Sequence, residues 1–343
     1  MTQLDNAVLP KGSLILVTGA NGFIASHITE QLLELGYKVR GTARSLPKLD
    51  NLKKRWENKY PGLFEVAEVP DILKEGAYDE AIKGVSGVAH VAMNMSFSLD
   101  YDAVVRDAVD STLVALQASH ATPSVKRFVL TSSVTAIATL ESARRPDLTV
   151  GEKDFNYESI ELAKSLGDDD PTKGAYIYAA AKTQGELAAF NFVKENNPSF
   201  DFSSCHPGYC IGEILDPVSQ SGSTAGWIRD LFLGKSDAVT KLVPDVNFAP
   251  VTDIARLHIG ALLLPSVKNL RLFGSPHAGN WNDILSVFRK NYPNKIFYED
   301  VKDCPPCYQI YDIERSTEVL KEMGQESWVS LKQAIVENVR PFV

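Results

Sequence analysis

Thr18-Gly19-Ala20-Asn21-Gly22-Phe23-Ile24-Ala25 is the stretch that decides the fold. It follows Ser13-Leu-Ile-Leu-Val-Thr18, an apolar run that predicts a strand buried on both faces. It opens Gly22–Leu35, in which Ile24, Ile28, Leu32 and Leu35 recur at helical spacing, and Gly36 stands where a helix stop belongs. Gly19 permits a tight turn, and Gly22 lets the backbone approach a pyrophosphate with no Cβ in the way. Free N–H groups and the dipole at a helix start favour that anion. Ala25 takes the third, usually glycine, position and is small enough for close helix–strand contact. Glycines are common in ordinary turns; the position at the first strand-to-helix junction sets this one apart.

Working outward, short β-rich runs alternate with helical patterns. Tyr37–Thr42, Phe64–Val69, Gly87–Ala92 and Arg127–Thr131 read as strands, with helices near residues 76–84 and 102–120. Such alternation implies a parallel sheet with helices on both faces, because right-handed crossovers put them there. Residues 140–174, with prolines, charges and Asp168-Asp169-Asp170, read mostly as a surface excursion. A helix runs from about Tyr176 to Asn196, and Phe202–Ile211 reads as one more strand. Gly212–Phe248 looks loop-rich, Ile254–Leu264 an apolar helix, Leu270–Phe273 a late strand, and the remainder mainly helical. The expected fold is α/β, a Rossmann-type doubly wound parallel sheet with a smaller C-terminal substrate lobe. Residues 1–212 would form the dinucleotide-binding domain and 213–343 mostly the substrate lobe, with 250–275 crossing back to the sheet.

The composition is that of an ordinary soluble chain: 343 residues, 44% hydrophobic and 23% charged. The net charge of −8 argues against nucleic acid as a partner, which needs a basic footprint. No apolar run approaches the ~18 residues of a membrane span, and Met1-Thr2-Gln3-Leu4-Asp5 does not resemble a secretory signal. Four cysteines are too few for a disulfide scaffold at this length. The expectation is a cytoplasmic protein, monomeric or weakly dimeric, with a small molecule as its partner.

The second strand sharpens the choice of cofactor. A dinucleotide fold specific for NAD places a carboxylate at its end to hold the ribose 2′-OH. Here Arg40-Gly41-Thr42-Ala43-Arg44 stands instead, with Lys48 close behind. Arginine suits a 2′-phosphate, so NADPH/NADP+ is favoured, against the alternative of a solvated basic loop. Asp71, after the third strand, suits either the adenine amino group or a plain turn cap.

Tyr178-Ala-Ala-Ala-Lys182 lies on a helical stretch, where i, i+4 spacing puts both side chains on one face. An ammonium beside a phenol is expected to lower a pKa that starts near ~10, making the tyrosine a usable general acid. Tyr298-Glu-Asp-Val-Lys302 repeats the spacing, but its spacer is acidic and it lies far beyond the nucleotide-binding half. Thr131-Ser132-Ser133 ends a strand, where ligands of open parallel sheets sit and a hydroxyl can bond a carbonyl oxygen.

In combination, Thr18-Gly-x-x-Gly-x-x-Ala25, Thr131-Ser-Ser133 and Tyr178-x-x-x-Lys182 resemble the extended short-chain dehydrogenase/reductases. Within them the chain is similar to the dihydroflavonol reductase-like branch. It is most similar there to the yeast NADPH-dependent aldehyde/carbonyl reductases, whose patterns recur at Asp5–Pro10 and Val17–Phe23. The resemblance implies Ser133, Tyr178 and Lys182 as the catalytic set. It implies that Gly19, Asn21, Gly22, Phe23 and Ile24 face the pyrophosphate, Arg44 and Lys48 the 2′-phosphate, and Asp71 and Ile72 the adenine. Ala92 would line the cleft, and His206-Pro207-Gly208-Tyr209 would close over the nicotinamide through its backbone. The implied activity is NADPH-dependent reduction of aldehydes or ketones, ketoesters or aryl ketones among them, in an apolar pocket offering Phe97, Trp227 and Phe232.

Two departures narrow the reading. Lys173-Gly-Ala-Tyr-Ile177 lacks the longer aromatic signature of cinnamoyl-CoA reductases, which disfavours a CoA thioester. Val134-Thr135-Ala136 carries none of the acids of sugar-nucleotide dehydratases. The competing readings are a sugar-nucleotide epimerase of the same fold and a non-catalytic dinucleotide sensor, which has no use for the Ser/Tyr/Lys set. Cys304-Pro-Pro-Cys307 has redox or zinc spacing but no second cysteine pair, so a structural loop and no metal site are expected. His90, in an apolar strand, reads as a core histidine.

Overall fold

The computed structural model describes residues 6–93, 98–235, 245–302, 304 and 306–343. Its main sheet has seven parallel strands in the order β3-β2-β1-β4-β5-β6-β9. These are β1 (Leu14–Val17), β2 (Lys38–Ala43), β3 (Phe64–Glu68), β4 (Gly87–His90), β5 (Arg127–Thr131), β6 (Asp201–Pro207) and β9 (Arg271–Gly274). Alternate side chains of β1 enter opposite cores: Ile15 and Val17 one, Leu16 the other. The first core lies under α1 (Phe23–Glu34) and the helix Val251–Leu263, through Ile28, Leu32, Ile254 and Leu257. The second lies under α3 (Tyr101–His120) and α5 (Lys173–Asn196), through Val114, Leu116 and Ala189. A sheet buried on both faces is the arrangement that the unbroken apolar runs predict.

α3 and α5 approach closely because Gly185 presents no side chain: a Cβ there would lie 3.3 Å from the Ala108 carbonyl oxygen. This contact fixes the height of α5, and with it Tyr178 and Lys182, against the sheet.

A second, three-stranded sheet, β10-β8-β7, pairs β7 (Tyr209–Ile211) with β8 (Asp245–Pro250) and β8 with β10 (His277–Asn280). The run Phe202–Ile211 is therefore two strands in two sheets, not one. Gly208 is the joint: its N–H donates to the Gly274 carbonyl at 3.1 Å. A Cβ there would stand 2.2 Å from both the Asn247 carbonyl oxygen and Ser275 Oγ.

Other expectations need correction. Residues 76–84 form consecutive turns rather than a helix, with Gly76 and Gly84 at positive φ (74° and 75°) at either end. The excursion 140–174 contains α4 (Tyr157–Ser165), whose Asn156 side chain accepts the Ser159 N–H at 2.9 Å. The loop-rich 212–248 region contains α6 (Thr224–Phe232). Gly226 inside α6 is a steric necessity, since a Cβ would lie 2.2 Å from the Ser221 carbonyl oxygen. Among the described residues no helix is long and apolar enough to cross a membrane.

Candidate active site

The glycine turn is built to present bare backbone. Gly19 adopts φ +66°, and a Cβ on it would press on Ala92 Cα and Cβ at 3.3 Å. The Gly19 N–H donates to Thr42 Oγ1 at 3.1 Å, and Thr18 Oγ1 accepts the Val91 and Ala92 N–H groups at 2.9 Å each. Three strand ends are thus locked together, and Ala92 is held against the turn. α1 begins at Gly22 with no side-chain cap and no acidic residue in its first turn. An uncapped, unopposed helix start is what a pyrophosphate requires. Phe23 is buried and Ile24 packs on the core, so these two offer only their backbone to a ligand.

Sequence reasoning missed the support behind this turn. Gln220, from the segment before α6, donates its amide to the Asn21 and Gly22 carbonyls at 3.0 and 3.2 Å. Nothing in the local sequence marks it, because it lies 199 residues from its partner.

The two arginines of β2 separate cleanly. Arg40 pairs with Glu65 at 2.6 Å and donates to the Ala81 and Lys83 carbonyls, so it is structural. The Arg44 and Lys48 side chains are exposed and have no hydrogen-bond or ion-pair partner among the described residues. Asp71 accepts the Leu73 N–H at 2.9 Å through one carboxylate oxygen, a turn cap that leaves the other oxygen for a ligand. Ile72 packs against the second core.

At the carboxyl end of β5 the two adjacent serines take different partners. Ser133 stands close enough to the Tyr178 phenol to favour its ionisation. Its Oγ accepts from Thr135 N–H (3.2 Å) and Thr135 Oγ1 (3.0 Å), which leaves its own proton to donate. Ser132 turns the other way, into the protein, and donates to Glu186 at 3.0 Å.

The expected coupling of Tyr178 and Lys182 is not what the structure shows. Burial pushes the Tyr178 phenol up to about 12, against an opposing pull from the Ser133 hydroxyl. The Lys182 ammonium, one helical turn on, is aimed at the Thr131 carbonyl at 3.2 Å instead. Burial pushes Lys182 down to about 8, and the Glu186 carboxylate resists that shift. Tyr178 thus remains a protonated donor throughout the physiological range.

Behind Lys182 is a small cavity of about 20 Å³, lined by His90, Ser111, Thr112, Ser132, Lys182 and Glu186 among others. His90 is buried as expected, with Nδ1 3.1 Å from Thr18 Oγ1. On the outer side, Tyr209 lies close enough to Tyr178 for that phenol to disfavour its ionisation, and its ring meets Trp227 at 5.8 Å. Trp227 therefore stands at the site's edge. Phe232 does not: it is buried among Phe288, Tyr292 and Phe297. Phe97 lies outside the described residues. The Tyr298 hydroxyl donates to the Gly234 carbonyl in the far lobe, and Lys302 is in a turn, so that pair shares no helix face. Cys304 and Cys307 lie in irregular backbone, and no metal-holding cluster occurs among the described residues.

A dinucleotide turn at the first strand, facing a serine and a helical Tyr/Lys pair across the sheet's carboxyl edge, defines a short-chain dehydrogenase/reductase of the extended type. The chain belongs to the NAD dependent epimerase/dehydratase family, whose model matches residues 15–267. It is 51% identical over 339 residues to Aldehyde reductase 2 of Sporidiobolus salmonicolor, covering 99% of this chain and 98% of that one. It is 32% identical over 341 residues to a cinnamoyl-CoA reductase of Medicago truncatula, covering 96% and 95%. Among solved structures, Gre2 of Candida albicans in complex with NADPH superposes with a TM-score of 0.78 at 25% identity, covering 96% and 98%.

Proposed function

We propose that this chain reduces aldehydes and ketones to alcohols with NADPH. The observation that carries the reading is the Tyr178 hydroxyl, buried and kept protonated beside the Ser133 hydroxyl at the strand ends that face the glycine turn. A dinucleotide would be held by the turn Gly19–Ile24, with Ala92 beneath it and the Pro207 and Tyr209 backbone above. Arg44 and Lys48, without partners among the described residues, suit a 2′-phosphate; Asp71 and Ile72 suit the adenine. When bound, the cofactor supplies a hydride to the carbonyl carbon.

The protein's own work is positioning and electrostatics. Ser133 donates a hydrogen bond to the substrate oxygen, and Tyr178 gives that oxygen its proton as negative charge builds there. Lys182, charged below about pH 8, adds a positive field and a donor for the nicotinamide ribose. Trp227 and Tyr209 form an apolar wall suited to ketoesters or aryl ketones. Residues 1–212 act as the dinucleotide domain and 213–343 as the substrate lobe, with 250–275 returning to the sheet, in a cytoplasmic enzyme that is monomeric or weakly dimeric. The absence of a carboxylate at the end of β2, and of an acid in Val134-Thr135-Ala136, weighs against epimerase or dehydratase chemistry.

The test is NADPH and NADH oxidation by the purified protein against a panel of aldehydes, ketoesters and aryl ketones. Turnover with NADPH preferred is expected. No turnover with any carbonyl, alongside tightly held NAD and activity on a sugar nucleotide, would replace this reading with the epimerase one.

A further inference from the structure

Glu186 is buried beneath the active site and is engaged on both oxygens. Oε1 accepts from Ser204 Oγ (2.8 Å), His206 Nε2 (2.6 Å) and Arg271 Nε (3.1 Å). Oε2 accepts from Ser132 Oγ (3.0 Å) and Arg271 Nη2 (3.1 Å). One carboxylate therefore joins α5 to the ends of β5 and β6 and to β9. Arg271 extends the connection outward, donating to the Glu152 and Asp154 carbonyls at 2.7 Å each.

Stability alone is a poor reason for such a cluster. A buried ion pair loses so much hydration that apolar groups of the same volume often serve as well or better. Its location suggests another reason. Glu186 is i+4 from Lys182, on the same face of α5, and both side chains line the cavity of about 20 Å³. The other charged or titratable groups around them are His90 from β4, His206 from β6 and Arg271 from β9; His258 lies behind Thr131. α3 contributes the uncharged Ala108, Ser111 and Thr112 to the cavity wall. Burial holds His90 and His206 toward their neutral forms, and Arg271 is already paired with Glu186. Glu186, although paired with Arg271, is thus the carboxylate whose field reaches Lys182 in this buried space.

We propose that Glu186 is a positioning residue of the active site: its ionised carboxylate keeps the Lys182 ammonium charged and fixes the strand ends that carry Ser133 and Tyr209. The proposal rests on the roles given to Ser133, Tyr178 and Lys182 above. It makes the family's tyrosine–lysine pair a Tyr178–Lys182–Glu186 series, each member one turn after the last.

The test separates charge from structure. In Glu186→Gln the size and shape are retained while the charge and one acceptor oxygen are lost; in Glu186→Asp the charge is retained and the reach shortened. Lys182 is titrated directly by NMR in protein with labelled lysines, its signal assigned by its loss in Lys182→Arg. Glu186→Gln is expected to lower the Lys182 midpoint by at least about one pH unit, the effect of losing a nearby opposite charge. Glu186→Asp is expected to restore most of that shift while kcat stays reduced. An unmoved midpoint in Glu186→Gln overturns the proposal. Should that variant not fold, the wild-type Glu186 carboxyl carbon decides: ionisation throughout pH 4–8 sustains the proposal, and titration within that range overturns it. The NMR readout needs no turnover, so a failure of the reductase reading would show separately, as wild-type protein that reduces no carbonyl.

Discussion

Gly208→Ala is a one-methyl perturbation at the joint between the two sheets. The added Cβ would stand 2.2 Å from the Asn247 carbonyl oxygen and 2.2 Å from Ser275 Oγ, both far inside contact distance. The two obstacles differ. Ser275 Oγ is buried without a hydrogen-bond partner and can turn away at small cost. The Asn247 carbonyl belongs to β8, paired with β7 on one edge and β10 on the other, so it cannot retreat without disturbing both ladders. Relief must come from β7 itself, which carries Tyr209. Overpacking of this kind costs about 1–3 kcal/mol, and the immobile backbone obstacle places this case toward the upper end. Chemical denaturation of wild type, Gly208→Ala and Gly208→Ala/Ser275→Ala measures it. The double variant relieves only one contact and should remain more than about 1 kcal/mol below wild type. Gly208→Ala within about 0.5 kcal/mol of wild type, the range of innocuous substitutions, would refute the steric argument.

Three further outcomes are expected. Because burial lowers the Lys182 pKa to about 8, kcat/KM for NADPH should hold steady below that pH and fall as pH rises through it; kcat/KM reports the free enzyme. The phenol near 12 titrates too high to produce that limb, so a decline seen only near ~10.4, the ordinary lysine value, would contradict the assignment. Arg44→Ala should raise KM for NADPH by about 10- to 150-fold, the equivalent of one charge-assisted hydrogen bond, and leave KM for NADH nearly unchanged; equal weakening of both would return this stretch to a solvated loop. Tyr298→Phe should change kcat less than about twofold, since its hydroxyl bonds the Gly234 carbonyl in the far lobe and general-acid losses are far larger; loss of activity there would move the acid to the other Tyr-x-x-x-Lys.

The features legible in the sequence are those set by local periodicity. Apolar runs such as Ser13–Thr18 could only be strands of a doubly covered sheet, and Tyr178 and Lys182 share a helix face at any site in the fold. What the sequence hides depends on partners distant in the chain. Glu186 is an unremarked helical acid until β6 and β9 bring His206 and Arg271 to it; the only local signal is that it follows Lys182 at i+4. Gln220 meets the glycine turn across nearly two hundred residues. Tyr78, Ala81 and Ile82 do face a core, which gives residues 76–84 their helical spacing, yet turns bounded by Gly76 and Gly84 achieve the same burial. The direction of the Tyr178 shift was misleading from spacing alone, because i, i+4 places two side chains on one face without stating where the ammonium points. Here it points to Thr131, and burial prevails.

The central claim is that Tyr178 delivers the proton in a carbonyl reduction driven by NADPH. Single-turnover reduction of an aldehyde accepted by the wild type, followed by NADPH absorbance in wild type and Tyr178→Phe, tests it most directly when paired with NADPH affinity from fluorescence titration. The account predicts NADPH binding within a few-fold of wild type and a reduction rate lower by about 10²-fold or more, the scale of a lost general acid. A Tyr178→Phe protein that binds NADPH normally and keeps more than about a tenth of the wild-type rate would contradict it.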